Sequence, residues 1–141
     1  MEADAGQEDR QLIGLDTNVL VRLCVRDDSA QVEAALRLLS GAPPGSVRVS
    51  VIVLAELAWT LLRRYRLDKA ALIATMESLL SRVELDIEGR GAMMMALQWY
   101  RMGNADFADY LIAALNREAG AAPTYTFDES AASSPAFALV S

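Results

Sequence analysis

Leu12-Ile13-Gly14-Leu15-Asp16-Thr17-Asn18-Val19-Leu20 is a short apolar run that breaks into three polar residues and resumes at once. An apolar run without polar alternation predicts a strand buried on both faces, as in the middle of a parallel sheet. Asp, Thr and Asn are poor strand residues and good helix starters, so the chain is expected to turn from strand to helix here. In open α/β sheets, ligands bind at the carboxyl ends of the strands. Asp16 therefore stands where such a fold does its chemistry, although the same residue type also serves as a plain helix cap.

The rest of the chain repeats the alternation. Thr17–Val25 reads as a short helix carrying Arg22, and Asp27-Asp28-Ser29 restarts a second helix that ends near Gly41. Val47-Arg48-Val49 is a short strand, with Ser50 as the N-cap of a helix reaching Tyr65. Val51, Leu54, Ala55, Ala58, Leu62 and Tyr65 give that helix its apolar face, and Ile52, Val53, Trp59 and Leu61 make much of the other side apolar too. Glu56 is the one acid in this run, and a carboxylate buried there needs a cation or a cluster of donors. Another helix begins at Leu67-Asp68-Lys69, and Val83–Asp86 reads as a strand with one less buried face. Ala92–Met102 is a methionine-rich helix. Asp106 and Asp109, spaced i, i+3, share one face of the first turn of the next helix, which stops at Gly120. Thr124–Phe127 is a strand ending in Asp128, the pattern already met at Asp16, and Phe137–Val140 is a last strand.

Composition narrows the chemistry. The chain has 141 residues, 53% hydrophobic and 23% charged, the profile of one globular domain. No apolar run is long enough to span a membrane, and the charged N-terminus does not read as a signal peptide. Cys24 is alone, so no internal disulfide forms and a cytoplasmic setting is expected. With no histidine, the common zinc sites and Ser-His or Cys-His nucleophiles are excluded. Net charge is −6, which argues against a nucleic-acid partner at first sight. Half of it, however, lies in Met1–Gln11, where Glu2, Asp4, Glu8 and Asp9 face Arg10. This stretch is expected to be a disordered acidic tail, with residues 12–141 as a single domain.

Strands alternating with helices imply a parallel sheet flanked by helices. Right-handed crossovers put the carboxyl ends of the strands on one edge. Asp16, Glu56, Asp106, Asp109 and Asp128 are then candidates for one acidic cluster. Carboxylates without histidine suit a hard divalent cation such as Mg²⁺ or Mn²⁺. Such an ion activates water and offsets charge in phosphodiester hydrolysis.

Four segments carry a family resemblance: Leu15-Asp16-Thr17-Asn18-Val19-Leu20-Val21-Arg22, Val53-Leu54-Ala55-Glu56-Leu57, Ala105-Asp106-Phe107-Ala108-Asp109-Tyr110-Leu111-Ile112-Ala113-Ala114 and Thr126-Phe127-Asp128. In this order they resemble PIN-domain ribonucleases, and among these the VapC-type toxins of bacterial toxin–antitoxin pairs. The resemblance implies a three-layer α/β/α fold with a central parallel sheet of four or five strands. It implies a Mg²⁺- or Mn²⁺-dependent endoribonuclease restrained by a VapB-like antitoxin, with a homodimer also in keeping. Asp16, Glu56 and Asp106 match the metal-binding acids, Asp128 the fourth, and Asp109 a supporting acid. Thr17, Asn18 and Thr126 match the polar residues that orient them. Two features depart from the pattern: the long acidic extension before Leu12, and Glu129-Ser130-Ala131-Ala132, where relatives carry Lys or Arg.

Arg22 is expected to reach RNA phosphate near Asp16, whereas Arg63, Arg64 and Arg66 read as a solvated helix end. The Leu54–Leu62 helix, the Leu72–Leu80 helix and the methionines around Met94 are candidate apolar surface for the antitoxin. Two other classes of function fit the same residues. One is a non-catalytic PIN-like module with structural acids; the other is a DNA nuclease or phosphatase using the same metal site.

Overall fold

The computed structural model describes residues 12–141, so the acidic tail over residues 1–11 lies outside the described residues. Five short strands alternate with seven helices: β1 (Ile13–Gly14), α1 (Thr17–Cys24), α2 (Ser29–Ser40), β2 (Val47–Val49), α3 (Val51–Arg63), α4 (Lys69–Leu80), β3 (Leu85–Ile87), α5 (Arg90–Met102), α6 (Phe107–Glu118), β4 (Thr124–Thr126), α7 (Glu129–Ala132) and β5 (Phe137–Leu139). Capping fixes most helix starts. Asp28, Ser50 and Asp68 each accept a backbone N–H three residues on, which satisfies a donor that has no partner inside the helix.

All strand pairing is parallel, as expected for a chain of this alternation. The hydrogen bonds divide the strands into two ladders, β1-β2-β3 and β4-β5. Val47 pairs with both Ile13 and Leu85, and Thr124 pairs with Phe137. β1 differs from its sequence reading. Only two residues are in strand geometry, Ile13 is half-buried and Gly14 is exposed. The reason is that β1 sits at the edge of its ladder and has a hydrogen-bonded neighbour on one side only. β2 and β3 alternate: Val47, Val49, Leu85 and Ile87 enter the core, while Arg48 meets Asp86 at 2.8 Å on the open face.

The core is built from Leu20, Leu54, Leu57, Leu61, Leu72, Met76 and Met93, all essentially inaccessible to solvent. Each such side chain contributes roughly 1.5–3 kcal/mol relative to exposure. The face of α3 is rotated from the sequence reading: Leu54, Leu57, Ala58 and Leu61 are buried, and Ile52 and Trp59 are exposed. Leu72, Ile73, Met76 and Leu79 turn α4 inward, so this helix does not offer the apolar docking surface expected of it. Around α5 and α6 an aromatic group closes the core. Tyr100 meets Phe107 edge-on at 5.8 Å, and Tyr110 lies 5.9 Å from Phe137. Among the described residues, no helix is long and apolar enough to cross a membrane.

Candidate functional site

Asp16 ends the β1 segment and caps α1, its Oδ1 accepting the Thr17 N–H at 2.8 Å. The rest of its carboxylate is exposed. Thr17 is buried and donates its hydroxyl to Glu56 Oε1 at 2.8 Å, across 39 residues of sequence. One threonine thus ties the acid of the first loop to the acid of α3. Glu56 itself is exposed, which corrects the expectation of a buried carboxylate. The rotation of α3 explains this: Leu57 and Leu61 take the inward positions, and Glu56 is left on the outer stripe with Ile52 and Trp59.

A second group forms at the start of α6. Asp106 is the N-cap residue, yet its side chain makes no capping hydrogen bond. The bond that it forgoes is worth about 0.5–2 kcal/mol in ordinary helices. Asp109, one turn on, is half-buried. Burial pushes its carboxyl up from the ordinary range, the charge of Asp106 adds to this, and that of Asp128 adds further. Asp109 therefore stands against the like charges of two further acids. Asp128 follows β4 and caps α7 through the Ser130 N–H at 2.9 Å, while Thr126 Oγ1 accepts the Asp128 backbone N–H at 3.0 Å. The orienting role expected of Thr126 acts on the backbone of Asp128.

α3 lies between the two groups. Glu56 on its outer stripe reaches Thr17, and Ala55, Ala58, Trp59, Leu62 and Arg63 line a cleft of about 70 Å³ together with Asp106, Phe107 and Ala108. Among the described residues, no three acidic or cysteine side chains are gathered closely enough to hold one ion between them. The acids stand as a pair linked through Thr17 and a second group in which Asp109 feels the charges of Asp106 and Asp128. Their donor atoms are all hard oxygens, and none of them forms an ion pair among the described residues; both features fit a divalent cation such as Mg²⁺ or Mn²⁺.

Residues that were not legible as site residues hold the loop before Asp106. Lys69, the only lysine, donates to the Gly103 carbonyl at 2.7 Å, with its ammonium 4.7 Å from the centre of the Tyr100 ring. The Tyr110 hydroxyl accepts the buried Ala105 N–H at 3.2 Å. A Cβ on Gly103 would come within 1.8 Å of that hydroxyl, so the residue must be glycine for the loop to close. A lone lysine in an arginine-rich chain was the available signal.

Arg22 is placed otherwise than expected. It lies in the last turn of α1, away from the Asp16 cap, and its guanidinium donates to Gln31, Asp27 and the Tyr65 hydroxyl. The sequence suggested proximity because α1 is short, but the partners on α2 and beyond α3 draw the side chain to that junction. Asn18, exposed one turn earlier, lines with Arg22 the apolar groove between α1 and α2.

Residues 13–134 match the PIN domain family model. The chain belongs to the PIN domain family. No curated protein matches it. Among solved structures, this PIN domain is similar to Mycobacterium tuberculosis VapC20, a sarcin–ricin loop cleaving toxin. The two are 30% identical over 85% of this chain and 94% of that one, with a TM-score of 0.40. It is also similar to Rickettsia felis VapBC2 bound to a DNA fragment from their promoter, at 20% identity over 92% and 98% of the chains, with a TM-score of 0.38.

Proposed function

We propose that this PIN domain is a divalent-metal-dependent endoribonuclease and the toxin of a toxin–antitoxin pair, acting in the cytoplasm. The observation that carries the reading is Asp106, an N-cap aspartate that leaves its cap unmade while its charge bears on Asp109. A carboxylate withheld from its helix and set against another is disposed toward a cation.

Asp16, Glu56, Asp106 and Asp128 would hold Mg²⁺ or Mn²⁺, with Asp109 in support. When bound, the ion lowers the pKa of a water and offsets charge on the phosphate. The protein's own part is orientation. Thr17 holds Glu56, Thr126 holds the backbone that carries Asp128, and Lys69 with Tyr110 fix the loop that presents Asp106. RNA would be cut to leave a 3′ hydroxyl and a 5′ phosphate.

For the VapB-like antitoxin, the α1–α2 groove supports docking of an amphipathic helix. Val19, Ala34, Ala35 and Leu38 line it, and the exposed Leu38 stands at its edge. Exposed Met94 on α5 is a further apolar candidate, open to the antitoxin or to a second copy of the chain.

The test is cleavage of matched RNA and DNA strands by the wild type and by Asp16→Asn, with Mg²⁺ and with excess EDTA. RNA cutting that disappears in both Asp16→Asn and EDTA is expected, with the variant still folded by circular dichroism. Undiminished cutting by Asp16→Asn, or in EDTA, overturns the mechanism; preferential cutting of DNA overturns the substrate.

A further inference from the structure

Ile52, Glu56, Trp59 and Arg63 succeed one another at intervals of four, three and four residues, so they form a single outward stripe on α3. All four are exposed, the Trp59 indole to 57%. At 1.5 Å of rise per residue, Trp59 lies about 4.5 Å and Arg63 about 10.5 Å beyond Glu56 along the helix axis. Trp59 and Arg63 also line the cleft that holds Asp106. The stripe therefore runs from one acid group, past the other, to a cation.

The cations are unevenly engaged. Arg22, Arg48, Arg82 and Arg101 form ion pairs, while Arg90 donates to the Leu80 and Leu85 carbonyls. Arg63, Arg64 and Arg66, exposed at the end of α3, have no ion pair among the described residues, and neither do Arg26, Arg37 and Arg117; of these, Arg63 is the one that lines the Asp106 cleft. A polyanion with one phosphate at the acids places its next phosphates several ångströms away, and Arg63 follows Glu56 at that distance on the same helix.

We propose that Trp59 and Arg63 hold the RNA strand beside its scissile bond. The indole face stacks one unpaired base, and the Arg63 guanidinium takes an adjoining phosphate. Stacking on an aromatic face beside a cationic track is the general physics of single-strand binding, and it is tolerant of sequence. A base within a duplex has no free face to offer, so this contact requires an unpaired base. The surroundings favour RNA over a protein partner. Trp59 and Arg63 line the same cleft as Asp106, so a strand whose phosphate is held at the acids lies beside both side chains. The proposal rests on the nuclease reading of the acids.

The experiment titrates fluorescein-labelled single-stranded RNA with the Asp16→Asn protein, read by anisotropy at several salt concentrations. Trp59→Ala in that background is expected to weaken binding about tenfold, within the range for loss of one stacked base. Trp59→Phe should keep most of the affinity, and Trp59→Leu, apolar without a π face, should behave as alanine. Arg63→Ala should make the slope of log affinity on log salt shallower by about 0.7. Equal binding by Trp59→Ala, rescue by leucine as good as by phenylalanine, or no RNA binding by the parent overturns the proposal. If Trp59→Ala in an otherwise wild-type chain cuts RNA undiminished while Asp16→Asn does not cut, this proposal falls and the nuclease reading stands. If Asp16→Asn cuts as well as the wild type, it is the nuclease reading that falls.

Discussion

Thr17 connects two acids that the sequence keeps 39 positions apart, through one hydroxyl and one backbone N–H. Replacing it with valine keeps the volume and removes only the hydroxyl. Glu56 is exposed, so water replaces the lost donor and stability should change little. Orienting partners of this kind are worth about 10- to 100-fold in metal affinity or activity. Thr17→Val should therefore lose that much RNA cleavage with an unchanged Tm; full activity would show that Thr17 only packs. At this scale the positions of Asp16 and Asp128 were legible, because a strand end and a helix cap are both written in the local sequence. The burial of Glu56 was not, because it depends on which of two apolar faces α3 turns inward. Arg22 was misplaced for a similar reason: its partners Asp27, Gln31 and Tyr65 meet only when three helices converge.

Among the elements, the α5–α6 connection has the least freedom. Gly103 lies against the Tyr110 hydroxyl, the same hydroxyl that holds Ala105, and Lys69 grips the Gly103 carbonyl from α4. Gly103→Ala overpacks this loop and is expected to cost about 1–3 kcal/mol, with Tm lowered by several degrees. Asp106 would move with the loop, so metal affinity should fall as well. A variant with wild-type Tm and wild-type metal binding would show that the loop relaxes without displacing Asp106. Element order and most boundaries were legible from caps and periodicity, since Asp28, Ser50 and Asp68 start helices by local chemistry. The brevity of β1 was not, because strand length depends on hydrogen-bonded neighbours that local sequence does not specify.

Over the whole molecule, the parallel strands and the family match agree with the α/β reading of the chain. The division of the strands into two ladders depends on which segments pair, as Ile13 with Val47, Val47 with Leu85 and Thr124 with Phe137, and local pattern does not name a strand's partner. The repulsion that Asp109 feels from Asp106 and Asp128 bears on the evolvability of this protein. An enzyme whose site strains its own fold gains robustness by losing its activity. Asp109→Asn removes one of the clashing charges, and without metal at neutral pH it should melt above the wild type. With excess Mg²⁺ the order should reverse, because an ion that binds only the folded chain stabilises the intact carboxylate set. Thermal melts of both proteins, in EDTA and in Mg²⁺, decide the matter: a variant that melts no higher in EDTA excludes the conflict. Random mutation under selection for sturdiness alone would then strip charge from this edge first, and the most heat-tolerant descendants of the chain would be inert.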